Sequence, residues 1–169
     1  MDWLDIKEFL KDTFKYILFI VVVLFIAIYV VGLQQVVGDS MNPTLNNGDI
    51  LIIDKLTPKL SNIKRGDIIS FYYDESKFLV KRVIGLPGEY IEIKEGKLYI
   101  NGKVFNDYVD NIKIENFKLE ELGYNKIPDN YYFVLGDNRN DSLDSREIGL
   151  IKKSDIVGKK IVKIWPVKN

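Results

Sequence analysis

The chain of 169 residues contains no cysteine and no histidine. Without cysteine it forms no disulfide, no thiolate metal site and no cysteine nucleophile. Without histidine it lacks the usual general base of serine hydrolases and the commonest ligand for transition metals. A nucleophilic serine would therefore need a lysine or a carboxylate as its base, and a metal site would need oxygen ligands for a hard cation.

An excess of charge of either sign is also missing, because 24 Lys and Arg residues balance 24 Asp and Glu residues. This balance argues against a nucleic-acid partner, which requires a basic surface. The length fits one domain with an appendage rather than two full domains, and a body of this size buries a core without help from a metal or a disulfide.

One long apolar run is present, YILFIVVVLFIAIYVVGLQQVV at residues 16–37, and it carries no charge. As a helix of about 22 residues it spans roughly 33 Å, enough to cross the roughly 30 Å hydrocarbon core of a bilayer. The alternative is a cleaved signal peptide, whose apolar part is shorter, about 7 to 15 residues, and ends at a small-x-small cleavage site. No such site follows this run, so we predict an uncleaved transmembrane anchor.

The lysines around this run predict its orientation. Lysines before the span are Lys7, Lys11 and Lys15, whereas the first one after it is Lys55. Since cytoplasmic flanks carry the excess of Lys and Arg, we expect a cytoplasmic segment at 1–15, a single pass through the cell membrane at 16–37, and an extracytoplasmic domain at 38–169.

Short segments rich in Val, Ile, Tyr and Phe follow the anchor, separated by Gly, Asn, Asp and Pro, which is typical of β-structure. The candidate strands are 49–55, 67–73, 78–85, 90–94, 97–100, 131–136 and the IVGKKIVKIWP segment near the end. Asn101-Gly102 predicts a hairpin turn, because both positions tolerate a positive φ. We therefore predict a mainly β fold: an N-terminal transmembrane helix, then an antiparallel β-rich domain.

Residues 106–130 interrupt this strand rhythm with many charges and weak periodicity. We expect a small inserted lobe there rather than core. Glu120 and Glu121 are interpreted as part of a solvated face on one helical turn, with no role in chemistry.

Ser40 lies in the turn sequence GDSMNPTL, just after the predicted span. As a nucleophile it would need a base, and Lys81 is the candidate because it interrupts the apolar strand FLVKRVIG at 78–85. Strand alternation places Lys81 and Arg82 on opposite faces, so either could point inward, but only a lysine can lose its proton. Bringing the lysine pKa to roughly 7 to 8 requires about 3.5 to 4.5 kcal/mol of destabilisation of the charged form. The pattern alone is equally compatible with an ordinary Ser-x-x-Pro turn and an edge-strand lysine.

The stretch GDNRNDSLDSREIG at 136–149 is a third unusual feature, dense in Asp, Asn, Ser and Arg after a predicted strand. Three interpretations are open. The loop could hydrogen-bond to its own backbone and position side chains for a site, it could be an elaborate turn, or it could bind a cation through oxygen ligands. The spacing of its aspartates departs from that of a calcium loop, so we expect no metal.

Four sequence motifs, taken in chain order, resemble those of one family: SMNPTL at 40–45, RGDIISF at 65–71, KRVIGLPGE at 81–89 and GDNRNDSLDSR at 136–146. Together with the anchor they are similar to the bacterial type I signal peptidases, membrane-bound Ser/Lys proteases that remove signal peptides from exported preproteins. The resemblance covers essentially the whole chain, in the compact single-span form.

The resemblance implies a role for each matching residue. Ser40 is implied as the nucleophile and Lys81 as the general base, without any cofactor. Ser142 would bond to the lysine amine and orient it, and Asp144 and Arg146 would form an ion pair behind it. Asp67 and Arg82 are implied to be structural.

Gly38 departs from the pattern of some relatives, which carry at this position a serine whose hydroxyl faces the oxyanion. The backbone N–H of Ser40 is expected to remain one oxyanion donor. Whether Gly38 supplies a backbone group or only room stays open.

The implied substrates are preproteins with signal peptides, cleaved after small residues of the Ala-X-Ala type, and the implied partners are the lipid bilayer and the protein export machinery. An extended substrate would add to a β-edge and place alternate side chains in apolar pockets, for which Met41 is a candidate wall. Two alternatives stay open: another Ser/Lys processing peptidase, and a catalytically silent, membrane-anchored β-module that binds peptides.

Overall fold

The computed structural model describes residues 3–74, 77–109 and 115–165. Helix α1 covers Trp3–Phe25 and continues as a π-helical turn at Ile26–Val30. The segment Ile6–Val30 is long and apolar enough to cross a membrane, with a mean hydropathy of 2.5 and none of it buried against the rest of the chain. This agrees with the expected N-terminal apolar helix, while the division into cytoplasmic segment, anchor and outer domain stays a prediction.

The C-terminal end of the predicted span is wrong. Helical structure stops at Val30, and Val31–Gln35 form a strand that pairs antiparallel with Ile50–Asp54. The valine-rich sequence in this region is apolar enough to fit either a membrane helix or a strand, so hydropathy alone does not separate them. Pairing with a neighbouring strand decides the outcome, which is how tertiary contacts override local preference.

The strands in chain order are β1 Val31–Gln35, β2 Ile50–Asp54, β3 Ile68–Tyr72, β4 Phe78–Gly85, β5 Ile91–Lys94, β6 Lys97–Ile100, β7 Lys103–Val104, β8 Phe117–Lys118, β9 Tyr131–Leu135, β10 Ile151–Lys152 and β11 Ile156–Trp165. Short helices lie at α2 Thr57–Leu60 and α3 Ser145–Ile148, with 3₁₀ turns at Leu119–Leu122 and Lys153–Asp155.

Two antiparallel sheets contain these strands. The larger has seven strands in the order β1-β2-β11-β3-β4-β9-β10, and the smaller has four in the order β7-β6-β5-β8. The mainly β prediction is therefore confirmed, and strand β4 has the same bounds as the predicted segment 78–85. The Asn101-Gly102 hairpin is also confirmed, since φ is 51° and 76° at these residues and Ile100 pairs with Lys103.

The prediction that 106–130 lies outside the core is wrong for part of that segment. Phe117, Leu119 and Ile127 are fully buried in the core between the small sheet and strands β4 and β9. Charged neighbours hide the apolar positions in the sequence, and β8 is too short to show an alternating pattern. The single helical turn is present at Leu119–Leu122, with Glu120 and Glu121 exposed.

A separate apolar cluster lies under β1, β2 and the turn that contains Ser40. Its buried members are Val36, Met41, Leu45, Leu51, Ile53, Ile68 and Val80. This cluster fixes the turn against the large sheet, so the serine is held by core packing and not by a free loop.

Candidate active site

Ser40 is half-buried in the turn that follows β1. Its neighbour Met41 is almost fully buried, as is Leu45, and the Leu45 N–H donates to the Met41 carbonyl at 2.8 Å. The Asn42 N–H donates to the Asp39 carbonyl at 3.0 Å, which closes the turn around the serine. Two apolar side chains and two backbone hydrogen bonds therefore fix the serine hydroxyl at the surface of the core.

Lys81 projects from the middle of β4, where it is paired with Ile69 of β3. Only 1% of its surface is exposed, and its Nζ lies 2.5 Å from the Ser40 Oγ. The structure therefore brings the predicted nucleophile and the predicted base into direct hydrogen-bond contact, and we call Ser40 and Lys81 the dyad. This is the geometry that activates a serine hydroxyl when the amine is neutral.

Burial gives the Lys81 amine a much larger neutral fraction near physiological pH than an exposed lysine has. Loss of water around the ammonium lowers the pKa of Lys81 from 10.5 to about 8, although the carboxylates of Asp144 and, more weakly, Asp137 raise it. The net shift of the Lys81 pKa is downward because each carboxylate is paired with an arginine and neither is in direct contact with the amine. Asp144 pairs with Arg146, and Asp137 pairs with Arg82. The site therefore contains a buried lysine that loses its proton more readily than an exposed one.

Ser142 lies beside the dyad, but its contacts differ from those that the family resemblance implied. Its hydroxyl is buried and has no hydrogen-bond partner among the described residues, so the expected bond to the Lys81 amine is not present. The Ser142 Oγ instead lies against Gly136, where an added Cβ would come within 2.0 Å of it.

Asp144 and Arg146 form the ion pair that the resemblance implied. The Arg146 Nε donates to Asp144 Oδ1 at 2.8 Å, and Nη2 donates to Oδ2 at 2.9 Å and to the Arg139 carbonyl at 2.8 Å. Asp144 also accepts from the Gly136 N–H at 3.0 Å and caps α3. This fully buried carboxylate ties both ends of the loop together behind the dyad.

Sequence reasoning missed a second set of ion pairs in the same loop. Asp137 is completely buried and accepts from Arg82 Nε at 2.8 Å and Nη2 at 2.6 Å. The buried Arg139 lies 3.6 Å from Asp137, pairs with Asp107 and donates to the Gly136 carbonyl at 2.5 Å. The dense alternation of Asp and Arg in the sequence was the available signal, but spacing alone does not show which charges pair.

In the described part of the chain, no group of three or more acidic side chains is placed to hold a metal ion.

Gly38 has φ of +84°, and its N–H donates to Asn47 Oδ1 at 3.0 Å. That donor is thus already engaged, whereas nothing lies within 4 Å of where a Cβ would stand. Gly38 therefore provides the backbone conformation and open space beside Ser40.

Asp67 accepts from the Lys64 N–H at 2.9 Å and pairs with Lys159 at 2.8 Å, which are structural contacts.

An open cleft of about 600 Å³ leads to the dyad. We call it the substrate cleft, and its walls are the segments 33–37 and 77–81, with Ser40 and Met41 at one end. β1 is an edge strand of the large sheet. In the described ranges, β9 pairs with β4 only from Arg82 onwards, so the first half of β4 also presents an open edge. An extended peptide has a strand edge available on either wall.

Comparison with known proteins gives the same family throughout. A family model described as "Signal peptidase, peptidase S26" matches residues 7–165. The chain is 41% identical to signal peptidase I of Bacillus caldolyticus over 157 residues, covering 87% of this chain and 86% of the relative. It is 42% identical to signal peptidase I V of Bacillus subtilis over 134 residues, covering 73% of this chain and 80% of the relative.

A solved structure is similar as well. The crystal structure of a signal peptidase I from Enterococcus faecalis matches with a TM-score of 0.53 and 36% sequence identity, covering 59% of this chain and 97% of that one. The family match spans the anchor helix, both sheets and the loop behind the dyad. This chain belongs to the signal peptidase family, peptidase S26.

Proposed function

We propose that this chain is a membrane-anchored serine endopeptidase that removes signal peptides with a Ser40 nucleophile and a Lys81 general base. The observation that carries the proposal is the 2.5 Å contact between Lys81 Nζ and Ser40 Oγ at a lysine that is almost fully buried. Membership of the signal peptidase family supports the reaction class. The lowered pKa of Lys81, about 8, supports the choice of base.

The reaction begins when the neutral Lys81 amine accepts the Ser40 hydroxyl proton as Oγ attacks the scissile carbonyl carbon. The C=O electrons move onto oxygen, and the resulting oxyanion needs hydrogen-bond donors, for which the Ser40 N–H is our candidate. When the intermediate collapses, the C–N bond breaks, and the Lys81 ammonium returns its proton to the leaving amine. Lys81 then accepts a proton from a water molecule, whose oxygen attacks the acyl ester. As the C–Oγ bond breaks, the Lys81 ammonium returns this proton to Ser40 Oγ, and the signal peptide leaves with a new carboxyl group that ionises in solvent.

The loop behind the dyad has a positioning role in this proposal. Asp144 and Arg146 fix the loop that carries Ser142, and the Ser142 hydroxyl, buried and without a partner among the described residues, is our candidate to orient the lysine amine. Gly38 leaves room next to Ser40 for the substrate carbonyl.

Specificity for small residues, of the Ala-X-Ala type, is the finer part of the proposal. Met41 and Val80 line the substrate cleft, and both are packed into the core, so neither moves aside easily for a bulky side chain. A peptide paired with a strand edge would point alternate side chains at this wall. The side chains of the first and third residues before the cleaved bond would therefore both face this wall, and both would have to be small.

Localisation is proposed from the sequence and the apolar helix together. Ile6–Val30 would cross the cell membrane once, with the lysine-bearing N-terminus in the cytoplasm and the two sheets outside. Preproteins emerging from the export machinery would then meet the dyad on the outer side of the membrane.

A cleavage assay tests the proposal. The full chain, purified in detergent, is incubated with a preprotein that bears an Ala-X-Ala signal peptide, alongside Ser40→Ala and Lys81→Met. We expect wild-type cleavage and at least about a thousandfold loss in each variant. Matched controls are Ser61→Ala and Lys152→Met, which change exposed residues of the same types. Wild type and dyad variants that behave alike would indicate a silent binding module, and activity in Lys81→Met alone would indicate another base.

A further inference from the structure

A second cavity, of about 630 Å³, lies where the anchor helix meets the large sheet. We call it the membrane-end pocket, and the lining residues that matter here are Ala27, Gly32, Leu33, Lys55, Tyr72 and Phe78. Its lining is mostly apolar, and none of its residues belongs to the dyad or to the loop behind it. The pocket therefore lies outside the catalytic site described above.

The membrane-end pocket is continuous with the substrate cleft. Leu33, Gln34 and Phe78 line both cavities. Leu33 is 71% exposed and Phe78 is 46% exposed, and the Phe78 ring packs against Tyr72 with a centroid distance of 4.5 Å. Exposed apolar side chains thus line the passage from the cleft towards the anchor, with Gln34 as the polar residue between them.

Small residues and a bound lysine keep the pocket open and apolar. Ala27 and Gly32 contribute little volume, and a Cβ at Gly32 would come within 2.6 Å of the Lys55 Cε. The Lys55 Nζ donates to the Ile28 carbonyl at 2.9 Å. Its ammonium is therefore engaged at the end of the helix, where a cation is favoured, and its methylene stem is what faces the pocket.

The direction of the chain fixes what reaches this pocket. Segments 33–37 and 77–81 both run towards the dyad, so the opposite end of the cleft lies at the anchor. About seven residues separate Leu33 from Ser40, which is at most roughly 23 Å of extended chain. In a substrate held in the membrane by an apolar segment, the residues before the cleaved bond must cover this distance from the bilayer.

We propose that the membrane-end pocket binds the end of the substrate's apolar membrane segment, about seven residues before the cleaved bond. This inference rests on the proposed function and adds a second recognition site to it. Ala27, the smallest side chain in the anchor, lets the substrate segment approach the anchor closely, as small residues do between membrane helices. The pocket selects substrates whose apolar segment ends at the right distance, and the substrate cleft then reads the small residues.

The test compares two substrates on the full chain in phospholipid vesicles. One is a preprotein with its complete apolar segment, and the other is a short peptide that begins six residues before the cleaved bond. Ala27→Leu places a bulky side chain where the substrate segment would approach the helix, and we expect the ratio of kcat/KM for the preprotein to that for the peptide to fall at least about fivefold, mainly through KM. The matched control is Val22→Leu in the same helix, which does not line the pocket and leaves the ratio unchanged. An unchanged ratio in Ala27→Leu would overturn the proposal.

Photocrosslinking gives a readout that does not need catalysis. A benzophenone side chain is placed at position 27 or, as the control, at position 22, each in Ser40→Ala. We expect position 27 to crosslink to the apolar segment of the preprotein and position 22 to crosslink to lipid. Crosslinks from position 27 to lipid alone would overturn the membrane-end site, and would leave the dyad proposal standing. Failure of wild type to cleave either substrate would instead overturn the proposed function.

Discussion

Lys81 and Arg82 are consecutive residues of β4, yet only one of them is neutralised by a carboxylate. Arg82 is paired with Asp137 at 2.6 Å, whereas Lys81 contacts the uncharged Ser40 hydroxyl at 2.5 Å. By engaging Asp137, Arg82 removes from the lysine a carboxylate that would otherwise hold its proton. The arginine therefore helps to keep the Lys81 amine neutral although it cannot itself lose a proton.

The first prediction is the pH profile of kcat/KM, which reports the free enzyme. Because burial lowers the pKa of Lys81 to about 8, the neutral fraction of this amine should fall tenfold for each pH unit below that value. We expect activity on a short peptide to rise from pH 6 to about 8 and then level off. A flat profile, or an inflection near pH 4, would point to a carboxylate base instead.

The second prediction concerns Asp144, whose negative charge raises the pKa of Lys81. Asp144→Asn removes that charge but keeps an oxygen for the Gly136 N–H, so the amine should lose its proton more readily. We expect the inflection of the pH profile to move below about 8, by a measurable fraction of a unit, even if kcat also falls. A merely structural role would lower activity without moving the inflection. Asp141→Asn, an exposed change in the same loop, is the matched control and should leave the inflection in place.

Strands with clear apolar alternation were predictable from the sequence because burial on one or both faces dictates their composition. β1 was not, since its uncharged sequence VGLQQ continues the uncharged run of the anchor and only pairing with β2 defines it as a strand. Phe117 and Leu119 were also missed as core residues. Their neighbours are charged, and their burial depends on a small sheet assembled from distant segments.

Ser40 and Lys81 could be proposed from the sequence because the absence of histidine leaves few bases and because Lys81 interrupts an apolar strand. The residue pattern alone fitted an ordinary turn and an edge-strand lysine as well, and it was the four ordered motifs of the family resemblance that favoured the catalytic pair. The partners of the charged loop were not accessible. Which of the acids pairs with Arg82 depends on how residues 136–146 fold back over β4, and spacing carries no such information. The unpartnered Ser142 hydroxyl is likewise a matter of side-chain rotation, which the sequence does not determine.

The third prediction is that Lys81→Met stabilises the folded protein while abolishing activity. The folded pKa, about 8, lies below the ordinary 10.5, so below pH 8 folding must bury a charged amine. At about 1.36 kcal/mol per pH unit this costs roughly 3 to 4 kcal/mol, partly offset by the bond to Ser40. Between about pH 8 and 10.5 the unfolded chain binds a proton that the folded chain has released, so wild-type stability rises with pH in that window.

Lys81→Met should therefore melt several degrees higher than wild type at pH 7, and the gap should shrink as the pH rises above 8. Intrinsic fluorescence of the full chain in detergent, followed through thermal unfolding at several pH values, measures this. Lys152→Met, at an exposed lysine, should match wild type throughout. If Lys81→Met were less stable than wild type at pH 7, the claim that the desolvated Lys81 ammonium destabilises the folded state would be wrong.

The last prediction concerns Gly136, which follows β9 and has no space for a side chain. An added Cβ would stand 2.0 Å from the Ser142 Oγ and 2.5 Å from the Ser40 carbonyl oxygen. The Ser142 hydroxyl can rotate away, but the Ser142 Cβ, at 2.5 Å, cannot, so residue 142 must shift as well. The Ser40 carbonyl belongs to the nucleophile's own backbone and also accepts from the Asn138 N–H at 3.0 Å. Gly136→Ala must therefore displace the Ser40 backbone. We expect a loss of about a hundredfold in kcat, since a shift of about 1 Å is enough for that, with about 1 to 3 kcal/mol of destabilisation from overpacking.

Gly88→Ala is the matched control for this loss. Gly88 has φ of +83° and nothing within 4 Å of its added Cβ, so the change costs about 1 kcal/mol of backbone strain and touches no part of the site. Comparing kcat with the melting temperature in both variants separates the two effects. If Gly136→Ala loses no more activity than Gly88→Ala at equal stability, close packing of Gly136 against Ser40 is not what positions the nucleophile. If its kcat falls far more than its stability does, the backbone of Ser40 is held in place by the absence of a side chain at Gly136.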